Sequence, residues 1–245
     1  MTVSNTSSRT AGVAARMRAI LALDSPVAGT ALAIFQYFVV SVSFLGCLGP
    51  ALVFTALVGW QSTHLAIWLG AAALLPLAPA TYALLRSTRR LLAERGEARA
   101  GRLFWSSFAS GCRTLAWVAI AASAVVLLLA YDFALFGRSD AMLLFVAASG
   151  AGSLAFFIAV SVLAAAAKDV PGAVALATAA ATVIARRPHV VLSWLLLTGS
   201  GAAALALPVV GPPLALFLPA LLGVGIHVCN DALRLPLIDE TRHTP

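Results

Sequence analysis

The chain has 245 residues, of which 61% are hydrophobic and 10% charged, whereas soluble domains run near roughly 45–50% and about 25%. Its net charge of +7 does not mark a nucleic-acid partner, because the basic residues lie between apolar segments and form no soluble basic face. Cys47, Cys112 and Cys229 are too few and too scattered for a disulfide framework or a metal site, and read as small buried hydrophobes.

Residues 1–24 are polar, basic and Ser/Thr-rich, without the apolar core of a signal peptide near the start. From Asp24 to Arg86 no Asp, Glu, Lys or Arg intervenes. A hydrocarbon core about 30 Å thick needs roughly 20 apolar residues per helix, so this stretch holds two spans. The first is expected at about residues 28–48, with Gly49-Pro50 near its far end. Leu45-Gly46-Cys47 imitates a lipoprotein cleavage site, but Phe44 stands where such sites favour a small aliphatic residue. Residues 50–60 are apolar and either lengthen the first helix or lie at the interface. Trp60 and Trp68 suit a headgroup belt.

The second span is expected at about residues 64–85. Pro76 and Pro79 within it should kink the helix and free backbone carbonyls. Thr81 can return its hydroxyl to a carbonyl, and the turn from Pro79 to Tyr82 is expected to face the bundle interior. Residues 86–113 carry seven Arg and two Glu, too many charges to span. Phe104 and Phe108 are four apart and share a helical face, so the segment reads as a cytoplasmic interfacial helix. That face, beside Arg95, Arg99 and Arg102, is a candidate docking surface for a partner or anionic lipid.

Further spans are expected at about residues 114–131, 141–167, 189–207 and 213–229. Between the fourth and fifth, residues 172–185 form an apolar run too short to cross, entered by Pro171 and closed by Arg186-Arg187-Pro188; this is an interfacial or re-entrant helix. Residues 147–153 and 199–202 are rich in Gly, Ala and Ser and read as helix contact faces. The expected fold is therefore an all-α polytopic membrane protein. It comprises six transmembrane helices over residues 25–235, one or two cytoplasmic interfacial helices and a short tail at 236–245. Fifteen of the sixteen Lys and Arg fall on one side of these spans, with Arg138 alone on the other. Basic loops stay in the cytoplasm, which puts both termini there.

Intramembrane charge is the usual pointer to chemistry, and it is nearly absent. His227, Cys229, Asn230 and Asp231 form the densest polar cluster. Positions 227 and 231 are one turn apart while Cys229 points away, so the group reads as a helix-end patch with no catalytic or metal role. No phosphate-cradling loop or hydrolase motif appears, and no cofactor is expected.

The segment Pro79-Ala80-Thr81-Tyr82-Ala83-Leu84-Leu85, followed by Arg86, a basic stretch and Phe104-Trp105-x-x-Phe108, resembles the YesL-type (DUF624) family of bacterial membrane proteins. So does the alanine-bearing segment closed by Arg186-Arg187-Pro188. The chain departs from that pattern at Ser110-Gly111-Cys112 and in its extra apolar sequence before Pro79. The resemblance implies a six-helix protein of unknown activity, of a kind often encoded near carbohydrate uptake systems of the ABC type, and the first reading is a non-enzymatic accessory to such a system. The alternative is a small-solute permease acting alone or as a homo-oligomer. Its polar midplane would have to come from Thr81, Tyr82, Ser149, Ser153 and Ser161.

Overall fold

A computed structural model of the chain describes residues 26–61, 63–94, 99–136 and 139–233, and in them the chain forms eleven helices and no strand. The expected terminal segments 1–24 and 236–245 lie outside the described residues, as do Arg95 and Arg138.

The first apolar run forms α1 (Pro26–Cys47) and α2 (Gly49–Leu57). Leu48 N–H bonds the Phe44 carbonyl and Leu52 N–H the Leu48 carbonyl, so the hydrogen-bond ladder runs through the junction. Residues 50–57 therefore lengthen the first helix. Gly59, at φ 69°, turns the chain back in the left-handed region that glycine tolerates best.

The second run splits into α3 (His64–Ala73) and α4 (Leu77–Glu94). The expected kink is a break, and the two prolines explain it. Pro76 and Pro79 have no N–H to offer the carbonyls of Ala72 and Leu75. Leu75 and Leu77 make tighter turns to Ala72 and Leu74 instead, and the α ladder resumes with Ala80 N–H to the Pro76 carbonyl. Thr81 donates its hydroxyl to the Leu77 carbonyl at 2.9 Å.

α4 continues five residues past Arg89 and is answered by α5 (Ala100–Thr114). The two are antiparallel neighbours: Ala100 shares an apolar cluster with Leu91, while Gly111 lies against Pro79 and Tyr82. This corrects the expected interfacial helix over residues 86–113. Arg99, Arg102 and Arg113 are exposed, while Ala100, Phe104, Ser107 and Gly111 turn inward. α5 is thus a member of the bundle, packed on α4 and α1.

The remaining helices are α6 (Ala116–Phe136), α7 (Asp140–Ala166), α8 (Ala173–Arg186), α9 (Pro188–Leu205), α10 (Gly211–Ala215) and α11 (Leu218–Ala232). Ser139 caps α7 by accepting from Met142 N–H, as an N-terminal Ser does. α8 is short, as expected, and inserts Leu176 and Ala180 into the main core.

Five stretches are long and apolar enough to cross a membrane: Gly29–Cys47, His64–Ala93, Ala116–Phe136, Asp140–Ala166 and Pro188–Leu205. The expected sixth span is interrupted. A turn at Leu216 and Phe217, just ahead of Pro219, separates α10 from α11, and neither piece alone is long enough. The outward faces carry Leu32, Ile34, Phe35, Leu128, Leu144, Phe145, Leu192 and Leu196 exposed, a surface suited to lipid and unsuited to water.

α4 is the central helix. Ala80, Ala83, Leu84 and Leu91 face α1 and α5, while Ala78, Tyr82 and Leu85 join the main core with residues of α7, α9 and α11. Close approach comes from single glycines. Gly111 faces Tyr82, Gly223 faces Thr88, Gly201 faces Leu222 and Gly225 faces Leu197. The small-residue stripes expected to be contact faces are mostly not so used. Gly150, Gly152 and Gly199 have open space around them, and Gly201 alone of residues 199–202 is buried.

Candidate functional site

The residues singled out by sequence separate into two groups that α4 and α5 bring side by side. Pro79 and Tyr82 are buried, Pro76 and Thr81 partly so. Tyr82 is fully enclosed; its hydroxyl accepts from Arg86, whose guanidinium carbon lies 5.7 Å from the ring centroid. That pairing holds a cation at the edge of the core through hydrogen-bond and cation–π contact.

The second group is Arg95, Arg99, Arg102, Phe104 and Phe108. Arg95 is outside the described residues. Arg99 precedes α5 and Arg102 lies in its first turn, both exposed. Phe104, expected to anchor a partner, is fully buried against Val40, Ala83 and Leu84, and Phe108 is half-buried beside the same cluster. The apolar face proposed for docking is therefore already filled by α1 and α4. The aromatic that α5 leaves outside is Trp105, 51% exposed, with its ring centroid 5.7 Å from those of both Phe104 and Phe108. It shares the outer face with Arg102 and Arg113.

A third constellation joins residues that are far apart in sequence. Arg89 of α4, Val162 and Ala166 of α7, and His227, Asn230 and Asp231 of α11 line a 290 Å³ cavity. Each polar wall has a local cause. α7 ends at Ala166, leaving its last carbonyls without helical partners. Arg89 Nη1 donates to the Ala166 carbonyl at 2.6 Å and reaches that of Ala165 at 3.5 Å, placing a cation at the negative end of the α7 dipole. His227 Nε2 donates to the Leu85 carbonyl at 2.8 Å. Trp194 of α9 donates its indole N–H to Asn230 Oδ1 at 2.9 Å. Nearby, Arg187 Nη1 reaches the Leu233 carbonyl at 3.5 Å.

The His227–Asp231 patch is thus one wall of a cavity that Arg89 also lines. Sequence placed Arg89 only among the basic residues following the second span. Among the described residues no group of three His, Cys, Asp or Glu could hold a metal ion.

At the opposite end, the Tyr131 hydroxyl accepts from Trp68 Nε1 at 3.1 Å and bonds His64 Nδ1 at 2.9 Å, tying α3 to α6. Trp60 lies edge-on to Phe54, 50% exposed. These amphipathic rings have the character of an interfacial belt.

No protein-family model matches the chain, and neither the curated proteins nor the solved structures contain a match to it.

Proposed function

We propose that this chain is a non-enzymatic, multi-pass protein of a bacterial cell membrane that serves as an accessory to the membrane subunit of a carbohydrate importer of the ABC type. The resemblance to the YesL-type family motivates the choice of partner. The observation that favours an accessory role over a conduit is the filled centre of the bundle. Tyr82, Leu85, Leu163, Leu176 and Trp194 are all essentially unexposed there. A solute conduit needs a polar, water-accessible midplane. Of the five candidates for one, Tyr82 and Ser161 are fully buried, Thr81 is turned onto its own helix backbone, Ser149 is half-buried, and Ser153 lines a cavity walled mainly by apolar residues. Four cavities among the described residues each include exposed residues in their walls.

In this reading α10 and α11 together make a sixth span. Residues 211–232 would reach about 33 Å at 1.5 Å per residue. α11 runs antiparallel to α9, with Trp194 beside Asn230, Leu197 beside Gly225 and Leu222 beside Gly201. Six spans put both termini on the side that holds fifteen of the sixteen basic residues, the cytoplasm.

The partner's contact is the outer face of α5, where Arg99 and Arg102 supply charge and Trp105 supplies an aromatic anchor of the kind that dominates interfaces. Purification from mild detergent, with an importer's membrane subunit identified by mass spectrometry, tests this. The expected result is co-purification that is lost on changing Arg99 and Arg102 to Gln or Trp105 to Ala. Recovery of no importer subunit, or equal recovery with the variants, would remove the accessory reading.

A further inference from the structure

The cavity between α4, α7 and α11 has more hydrogen-bonding capacity than the protein uses. The Trp194 indole can only donate, so the atom 2.9 Å from its Nε1 is the Asn230 oxygen and the amide NH₂ points elsewhere. Asn230 is only 5% exposed, lines the cavity, and its amide nitrogen makes no bond among the described residues. The Leu85 carbonyl can only accept, so His227 carries its proton on Nε2 and keeps Nδ1 for another contact. Arg89 engages only Nη1 with the end of α7, which leaves Nε and Nη2 without a partner among the described residues.

A guanidinium and an amide NH₂ open to one cavity are the chemistry that receives an oxyanion. The one acidic group in the lining, Asp231, is exposed and makes no ion pair with Arg89. It opposes a second negative charge and attracts a cation beside the first. The volume of 290 Å³ falls just below the range of ligand sites, about 300–1,000 Å³, which suits a headgroup and not a larger ligand. Depth matters too. α7 stops at Ala166 and the exposed Lys168 and Asp169 follow, so the cavity lies where the apolar helices give way to polar chain. On the multi-pass reading this is headgroup level.

We propose that this cavity binds a singly charged phosphodiester bearing an ammonium group, the headgroup chemistry of an ethanolamine phospholipid. Arg89 and Asn230 hold the phosphate oxygens, and Asp231 faces the ammonium. The same chemistry exists free in water as glycerophosphoethanolamine, and the test distinguishes the two sources.

Full-length protein in detergent is titrated with short-chain phosphatidylethanolamine, short-chain phosphatidylglycerol and glycerophosphoethanolamine, and adducts are counted by native mass spectrometry. Phosphatidylethanolamine is expected to bind at least about tenfold more tightly than phosphatidylglycerol. Asp231→Asn, on an exposed side chain, should erase that preference without disturbing the fold. Asn230→Asp keeps an acceptor for Trp194 but sets a carboxylate against the phosphate, and should weaken binding about tenfold or more. Binding of the diacyl form alone supports the site with a membrane source; binding of the soluble form as well supports it with either source. Absence of both, or a preference that survives Asp231→Asn, overturns the proposal. The measurement needs no importer, so its failure and that of the accessory role are separable.

Discussion

At Gly111 one added methyl group would meet Tyr82 Cδ1 at 2.9 Å and the Pro79 backbone at 3.2 Å. The ring of Tyr82 is fully enclosed and tied to Arg86, so it has little room to retreat. Overpacking of this kind costs about 1–3 kcal/mol. Gly111→Ala is therefore expected to lower thermal stability in detergent. Gly150→Ala, with open space around it, serves as the control and should hold or gain up to about 1 kcal/mol through helix propensity. Equal melting temperatures for the two variants would mean that α4 and α5 do not meet as closely as their glycine contact implies. Other residue-scale features differ in how far sequence reveals them. Thr81 returning its hydroxyl to the preceding turn is legible, because that bond is local to one helix. The union of Arg89 with His227 and Asn230 is not, because more than 130 residues separate positions 89 and 227. Only packing of α4 against α11 decides that they meet.

At the scale of elements, α5 is the most instructive. Its seven-Arg neighbourhood suggests a helix lying flat at the headgroups, and Phe104 with Phe108 suggests its apolar face. The inward stripe is instead Ala100, Phe104, Ser107 and Gly111, spaced four, three and four. That is a helical period, but Ser and Gly do not register as apolar, so hydrophobicity alone picks the wrong neighbour for Phe104. Once the stripe is placed, the aromatic outside is Trp105. Two substitutions separate packing from docking. Phe104→Ala should cost about 3–5 kcal/mol, as large-to-small changes in a filled core do, and lower the melting temperature. Trp105→Ala should leave stability within about 1 kcal/mol, since it removes a half-exposed ring, while reducing partner capture. A Trp105→Ala protein that unfolds, or a Phe104→Ala protein of unchanged stability, would reverse the assignment of inner and outer faces. The break between α3 and α4 was foreseeable in place, because two missing N–H groups must interrupt the ladder. Its form, a turn with a fresh helix start, depends on how Leu75 and Leu77 find other carbonyls.

At the scale of the whole molecule, composition decides the helical class, and long uncharged runs locate five stretches able to cross a membrane. The sixth run looked equivalent in sequence. Pro212, Pro213 and Pro219 divide it into Gly211–Ala215 and Leu218–Ala232, because Pro suits a helix's first turn and opposes its interior. Whether the two pieces act as one span decides the side on which the C-terminus lies, and the basic residues supply an independent vote. With six spans, Arg138 is the lone external cation and the segments around Glu97 and Arg187 are cytoplasmic. With five, the segment after Ala232 must lie opposite Glu97, carrying Arg234 and Arg242 to the external side against the positive-inside bias. Reporters fused after Glu97, Arg138, Arg187 and the last residue test this directly. The six-span arrangement predicts cytoplasmic, external, cytoplasmic and cytoplasmic signals in that order. An external signal at the C-terminus with the other three unchanged would leave α10 and α11 as a pair that enters and leaves on one side. It would also contradict the packing of α11, whose Asn230 lines a cavity with Arg89 of α4 and bonds Trp194 near the start of α9, on the side that leads to Glu97 and Arg187.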